Sequence, residues 1–251
     1  MRLLLLNPNM TQAMTDNMAQ IARAAVGDRA EIVPVTATRG FPYISSLAEA
    51  QIAGGIVLEM IAEHAIDVDA VVIAAFGDPG LAGAKDLFDL PVVGMAEASV
   101  MSAAMLGDTF GIVTFSPLMK RWYRECVHAT GLSARFKGVY APETLPARLD
   151  NVRSDLRAEL IALATTAAIR DGTDVIILGG APLAGLAPAI AAEVPALVID
   201  PIAAAVLQAT TLAHIAQSAG YSSRANKPAP KPSIGLPASL ARVIDAPAGP
   251  K

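Results

Sequence analysis

Cysteine is almost absent from this chain of 251 residues: Cys126 is the only one. A single thiol excludes an intrachain disulfide, a cysteine-based metal cluster and any mechanism that draws two thiols from one chain. Aromatic residues are scarce too, at 4%. A core must then be built from Ala, Leu, Ile and Val, which suits helices layered on a parallel sheet. Charged residues amount to 17%, and 19 Lys+Arg against 23 Asp+Glu leave a net charge of −4. That balance gives no basic footprint for a nucleic-acid backbone or an anionic membrane, so neither is expected as a partner. No stretch approaches the roughly 20 continuous apolar residues of a spanning helix. Met1-Arg2 followed by Leu3–Leu6 starts like a secretory leader, but Asn7-Pro8-Asn9 ends the run too early, and a cytoplasmic protein is the expectation. The glycine fingerprints of dinucleotide and phosphate loops are missing. His64, His128 and His214 fall in helical patterns without metal-ligand spacing, so no metal site is expected.

What is present is a chain 53% hydrophobic, which excludes disordered and fibrous classes. Short apolar runs alternate with longer helical patterns. Strands are expected at Leu3–Leu6, Glu31–Val35, Ala70–Ala75, Val92–Gly94, Phe110–Val113, Phe136–Tyr140, Val175–Leu178 and Ala196–Ile199. Helical segments lie between them, the clearest at Val152–Arg170 and Ala203–Ala219. This alternation predicts an α/β fold with parallel sheets covered by crossover helices. From about Tyr221 the composition turns to Ser, Pro, Ala and Lys, as in Lys227-Pro228-Ala229-Pro230-Lys231-Pro232, and predicts an extended Pro-rich tail over 221–251.

The chain also repeats a grammar. Val72–Ala104 runs strand, Pro-Gly turn, short helix, Pro91, strand, acid (Glu97), Ala-rich helix. Ile176–Leu207 runs strand, Gly179-Gly180-Ala181-Pro182 turn, helix, Pro195, strand, acid (Asp200), Ala-rich helix. Two such units predict similar halves facing each other. Ligands of open α/β sheets sit at the carboxyl ends of strands, so a cleft is expected between Ala75–Gly80 and Gly179–Leu183.

Around that cleft, several side chains carry chemistry, each with a plainer role beside it. Asn7-Pro8-Asn9-Met10-Thr11 ends a strand and opens a helix; its amides, with Asn9 and Thr11, can hold an anion or simply make a turn and an N-cap. Asp78 is the one ionisable group of Phe76-Gly77-Asp78-Pro79-Gly80, and serves either as a base or as a turn starter before proline. Glu97 and Asp200 each precede an apolar helix, where an acid caps the first turn; as a pair they can also polarise a water. Thr114 and Ser116 close another strand with two hydroxyls suited to a carboxylate or enolate oxygen, as Tyr43 and Ser45 do in the loop after the second strand. The same residue types also mark helix starts. Cys126, within Arg121–His128, is expected to be a packed thiol.

Together these residues resemble the aspartate/glutamate racemase superfamily, and within it the hydantoin and allantoin racemases. The resemblance is carried by Asn7-Pro8-Asn9 with Thr11, Phe76-Gly77-Asp78-Pro79-Gly80-Leu81, Gly94 to Ser99, Val113-Thr114 and Val198-Ile199-Asp200, and extends to about Ala219. It implies two Rossmann-like parallel-sheet domains related by pseudo-twofold symmetry. The first would take 1–96 plus 204–220 and the second 97–203, with the site between them, no metal and no cofactor. It also implies a homo-oligomer, whose neighbouring subunit the Pro-rich tail can brace. Such racemases use two cysteines on opposite sides of the substrate carbon. By the resemblance, Ala75 stands at the first cysteine position and Gly180 at the second. With Ala75, Phe76, Gly180 and Ala181 lining the pocket, the expectation is an enzyme acting on a small carboxylate, hydantoin-like ring or cyclic amide without thiol chemistry. Hydrolase or lyase chemistry with Asp78 or Glu97 as base is its main form. A hydantoin racemase-like isomerase with altered catalytic positions and a non-catalytic small-molecule binding protein are the alternatives.

Overall fold

In the computed structural model, which describes residues 1–145, 151–219 and 229–246, the expected strands form two four-stranded parallel sheets. The first contains β1 (Arg2–Asn7), β2 (Glu31–Thr36), β3 (Ala70–Ile73) and β4 (Val92–Gly94) in the order β2-β1-β3-β4. The second contains β5 (Phe110–Thr114), β6 (Phe136–Tyr140), β7 (Val175–Gly179) and β8 (Leu197–Ile199) in the order β6-β5-β7-β8. The second sheet repeats the topology of the first. Leu3, Leu4, Leu5 and Leu6 are all fully buried, as a central parallel strand covered on both faces requires. Each such leucine contributes about 1.5–3 kcal/mol on burial.

The helices are α1 (Gln12–Val26), α2 (Leu47–His64), α3 (Leu81–Leu87), α4 (Met95–Leu106), α5 (Met119–Ala129), α6 (Val152–Asp155), α7 (Arg157–Asp171), α8 (Ala187–Ile190), α9 (Pro201–Ala219) and α10 (Ala238–Asp245). The single helix expected over Val152–Arg170 is two, parted at Leu156. After β4, α4 leaves the first sheet and lies against β5 and β7; after β8, α9 returns to β1, β3 and β4. One apolar cluster consequently runs through both halves, joining Leu3, Leu5 and Val72 to Ile112 and Ile177.

The tail departs from the sequence expectation. Ala238–Asp245 is a helix, not an extended segment, and it packs on α2. Leu240, 4% exposed, enters the cluster of Ile56, Val57 and Met60, with Val243 and Ile244 beside it. The Ala, Pro and Lys of the flanking sequence obscure an apolar stripe at 240, 243 and 244, the spacing of one helix face. The Pro-rich run at 227–228 lies outside the described residues; 229–232 carry no helix or strand.

Candidate functional site

Strand order reverses between β1 and β3 in the first sheet, and between β5 and β7 in the second. The carboxyl ends at such points are where the backbone parts to admit a ligand. There the chain builds a small chamber lined by Asn9 after β1, Tyr43 and Ile44 after β2, Ala75 and Phe76 after β3, Gly180 and Ala181 after β7, and Trp122 and Tyr123 of α5. It encloses about 300 Å³ including its mouth. Ala75 and Gly180, from equivalent turns of the two sheets, thus share one space.

Polar donors converge on it. Asn9 is buried, its Oδ1 accepting from the Thr11 N–H at 3.0 Å and from Asn7 Nδ2 at 3.1 Å. Its own Nδ2 meets only the Met14 sulfur, at 3.8 Å, and so keeps donor capacity. The Tyr43 hydroxyl likewise has a sulfur partner, Met119, at 3.9 Å. Burial, then the nearby Glu49 charge, push the Tyr43 phenol well up. Burial does the same to Tyr123, whose ring meets Phe76 edge-on with centroids 4.7 Å apart. Both phenols are therefore neutral donors at any ordinary pH. Gly180 holds φ +123°, a region L side chains rarely adopt, and a Cβ there would lie 2.6 Å from Phe115 Cε1.

The remaining sequence candidates are placed elsewhere. Asp78 does not line the chamber and caps α4: the Ala96 N–H donates to Oδ1 at 2.8 Å and the Glu97 N–H to Oδ2 at 2.7 Å. Part of Asp78 opens on a neighbouring, larger groove of about 730 Å³ including its mouth, shared with Glu97, Glu125 and Cys126, and Trp122 lines both this groove and the chamber. The carboxylate itself points inward, and burial outweighs the two N–H donors, pushing its pKa up to about 7. Glu97 is held by Lys85, whose Nζ lies 2.5 Å from Oε2 and 2.6 Å from Oε1. Glu97 and Asp200 are not counterparts. Asp200 is the acid that caps α9, accepting from the N–H groups of Ile202 (2.9 Å), Ala203 (3.2 Å) and Gly185 (2.5 Å), and the matching cap in the first half comes from Asp78.

Thr11 stands at the N-cap position of α1, yet its hydroxyl donates to the Pro42 carbonyl at 2.6 Å and caps nothing. The Ser45 N–H and hydroxyl both donate to Glu49 at the start of α2, at 2.5 and 2.9 Å, and Ser46 is the N-cap. Thr114 and Ser116 are buried; Thr114 lies behind the chamber beside the Tyr123 hydroxyl, and neither residue lines the chamber. Ile44, Trp122 and Tyr123 are lining residues that the sequence reading passed over. Their signal was faint: adjacent aromatics in a helix whose other positions, Lys120, Arg121, Arg124 and Glu125, are charged. Cys126 is half-buried in the groove, outside the chamber, and burial pushes its thiol up. Among the described residues no group of three or more His, Cys, Asp or Glu could hold a metal ion, and no helix is long and apolar enough to cross a membrane.

Fold and chamber define a two-sheet α/β protein with a small chamber at the strand ends of its two halves. A sequence profile of the Asp/Glu/Hydantoin racemase family matches residues 3–209. The hydantoin racemase of Paenarthrobacter aurescens is 31% identical over 233 residues, 92% of this chain and 99% of that one. The hydantoin racemase of Pseudomonas sp. (strain NS671) is 32% identical over 86% of this chain and 87% of its own length. Among solved structures, the allantoin racemase from Klebsiella pneumoniae superposes with a TM-score of 0.84 at 32% identity, covering 95% of this chain and 98% of that one. The chain belongs to the Asp/Glu/hydantoin racemase family. These relatives lend nothing to hydrolase or lyase chemistry, and the two acids on which that expectation rested are engaged outside the chamber.

Proposed function

We propose that the chamber holds a five-membered cyclic ureide of the hydantoin or allantoin kind, and that the protein isomerises its ring stereocentre without thiols. The observation that supports this most is the meeting of Ala75 and Gly180 in one chamber with Asn9, Tyr43 and Tyr123 around it. Neutral N–H and O–H donors aimed at a ring carbonyl stabilise the negative charge that develops there as the adjacent C–H proton leaves. Water in the space beside Ala75 and Gly180 then takes that proton on one face and returns one on the other. The relatives named above are racemases of such rings, which supports this substrate class by analogy.

General acid–base groups contribute about 10²–10⁴-fold each. An enzyme relying on water turns over slowly. A second reading is favoured by Gly180 specifically: its φ and the proximity of Phe115 leave no side chain on that face, so the chamber binds the ring without turnover.

The test is one sample and two measurements: purified protein with 5-substituted hydantoins and allantoin in D2O, followed by NMR for loss of the ring C–H and by thermal denaturation. Stabilisation with accelerated exchange and loss of optical rotation supports the isomerase. Stabilisation alone supports the binding protein. No stabilisation by any ring of this class overturns both.

A further inference from the structure

One side chain belongs to two cavities. Trp122 of α5 lines the chamber together with Tyr43 and Tyr123, and it lines the neighbouring groove together with Leu47, Leu81 and Ala129. Among the described residues no other lines both. The chamber is about 300 Å³ including its mouth, and the groove about 730 Å³ measured the same way. Small-molecule sites run from about 300 to 1,000 Å³. The chamber therefore lies at the bottom of that range, with a space of ordinary ligand size against one of its walls.

That wall is firmly set. The indole is 7% exposed. Gly77, in the turn after β3, holds φ +126°, and a Cβ built on it would collide with Cζ2, Cε2 and Cη2 of the indole. The six-membered edge of Trp122 thus lies directly on the Gly77 backbone, an approach that only glycine permits. The Tyr123 ring packs beside it at a tilt of 46°, centroids 6.0 Å apart, and Phe76 in turn meets Tyr123 edge-on. Packing of this density resists an oversized insertion. The other walls offer little relief, because Ala75, Gly180 and Ala181 have no long side chain to swing aside.

We propose that Trp122 sets the substrate range by closing the chamber against the groove. The site then takes cyclic ureides with a short substituent on the stereocentre, such as methyl or the ureido group of allantoin, and refuses aromatic ones. This rests on the ring-binding reading above and adds to it the size of the substituent. An aromatic substituent must displace the indole from Gly77, whereas a short one leaves it in place. Removing the indole opens the chamber to the apolar surface of Leu47, Leu81 and Ala129.

The experiment is titration calorimetry on the full chain with 5-methylhydantoin, allantoin and 5-benzylhydantoin; it reads binding and needs no turnover. The unaltered protein is expected to bind 5-methylhydantoin about a hundredfold more tightly than 5-benzylhydantoin. Trp122→Ala should reverse that order by tightening the benzyl ligand, which a merely structural role for Trp122 would not do. Trp122→Leu leaves a smaller hole, guards against a variant that fails to fold, and should shift the ratio in the same direction. Free indole fills an apolar cavity of this kind, and added to Trp122→Ala it should restore the exclusion of 5-benzylhydantoin. Leu81→Ala enlarges the groove alone and should keep the ratio of the unaltered protein. If the unaltered protein binds methyl and benzyl rings equally, or if the Trp122 variants keep its ratio, the proposal is overturned and the ring reading stands. If neither 5-methylhydantoin nor allantoin binds the unaltered protein, the ring reading falls and takes this proposal with it.

Discussion

A Cβ on Gly94 would come within 2.3 Å of the Asp78 Cγ, so the carboxylate that caps α4 occupies the space a side chain at the end of β4 would need. The Phe76–Gly80 turn and the start of α4 are locked together by this contact. Gly94→Ala is expected to cost about 1–3 kcal/mol by overpacking, and Asp78→Ala about 1–2 kcal/mol through loss of the cap. Asp78→Asn, which can still accept from one N–H, should cost less than either. Urea denaturation of the three variants checks the order.

The pH dependence of stability follows from the same residue. Its folded pKa, pushed up to about 7, lies above the ordinary aspartate value near 3.8. Between those two values the folded state binds the proton and the unfolded state does not, so this group's contribution falls as pH rises through that window. Measured against Asp78→Asn, the unaltered protein should lose stability from about pH 4 to about pH 7 and run parallel outside it. A gap that widens in the opposite direction would show that the helix N-terminus holds the carboxylate down instead.

Restoring thiols at the two positions is not symmetrical. Ala75→Cys adds one sulfur towards open space in the chamber and should leave stability within about 1 kcal/mol of the unaltered protein. Gly180→Cys must hold a side chain at φ +123° with its Cβ against Phe115, and is expected to cost about 1–3 kcal/mol. Adding Phe115→Leu to Gly180→Cys should recover part of that loss. Polarimetry with a hydantoin should show racemisation in the double cysteine variant well above either single one.

Tyr43→Phe and Tyr123→Phe each remove a neutral donor while keeping the ring. Each should weaken ring-ligand binding by about 0.5–1.5 kcal/mol, up to roughly tenfold in Kd. Ser45→Ala, whose partner is Glu49 outside the chamber, should not change binding. Titration calorimetry distinguishes the two outcomes.

Leu240→Ala tests the C-terminal helix. With its side chain buried against α2, the change should cost about 2 kcal/mol or more, where an extended tail would cost nothing measurable.

The positions of the strands were legible because the apolar runs at Leu3–Leu6, Ala70–Ile73 and Val175–Leu178 are short, β-branched or leucine-rich and bounded by turn residues. The turns bearing Ala75 and Gly180 were legible for the same reason. What failed was anything decided by contacts far apart in the chain. Glu97 has the right position for a polarising acid, but Lys85 across the α3–α4 junction takes it. Trp122 and Tyr123 belong to a helix that reads as ordinary surface until α5 is laid over the strand ends. Leu240 becomes a core residue only because α2 offers a face for it.

The exchange of α4 and α9 between the sheets has a practical consequence for anyone dividing this gene. Cutting after α4 would strip β5 and β7 of the helix that shields them, and ending at β8 would bare β1, β3 and β4. Each fragment would present a dry, leucine-rich wall to solvent and fall out of solution. Mixed in the same tube, the complementary pieces would find each other for that very reason.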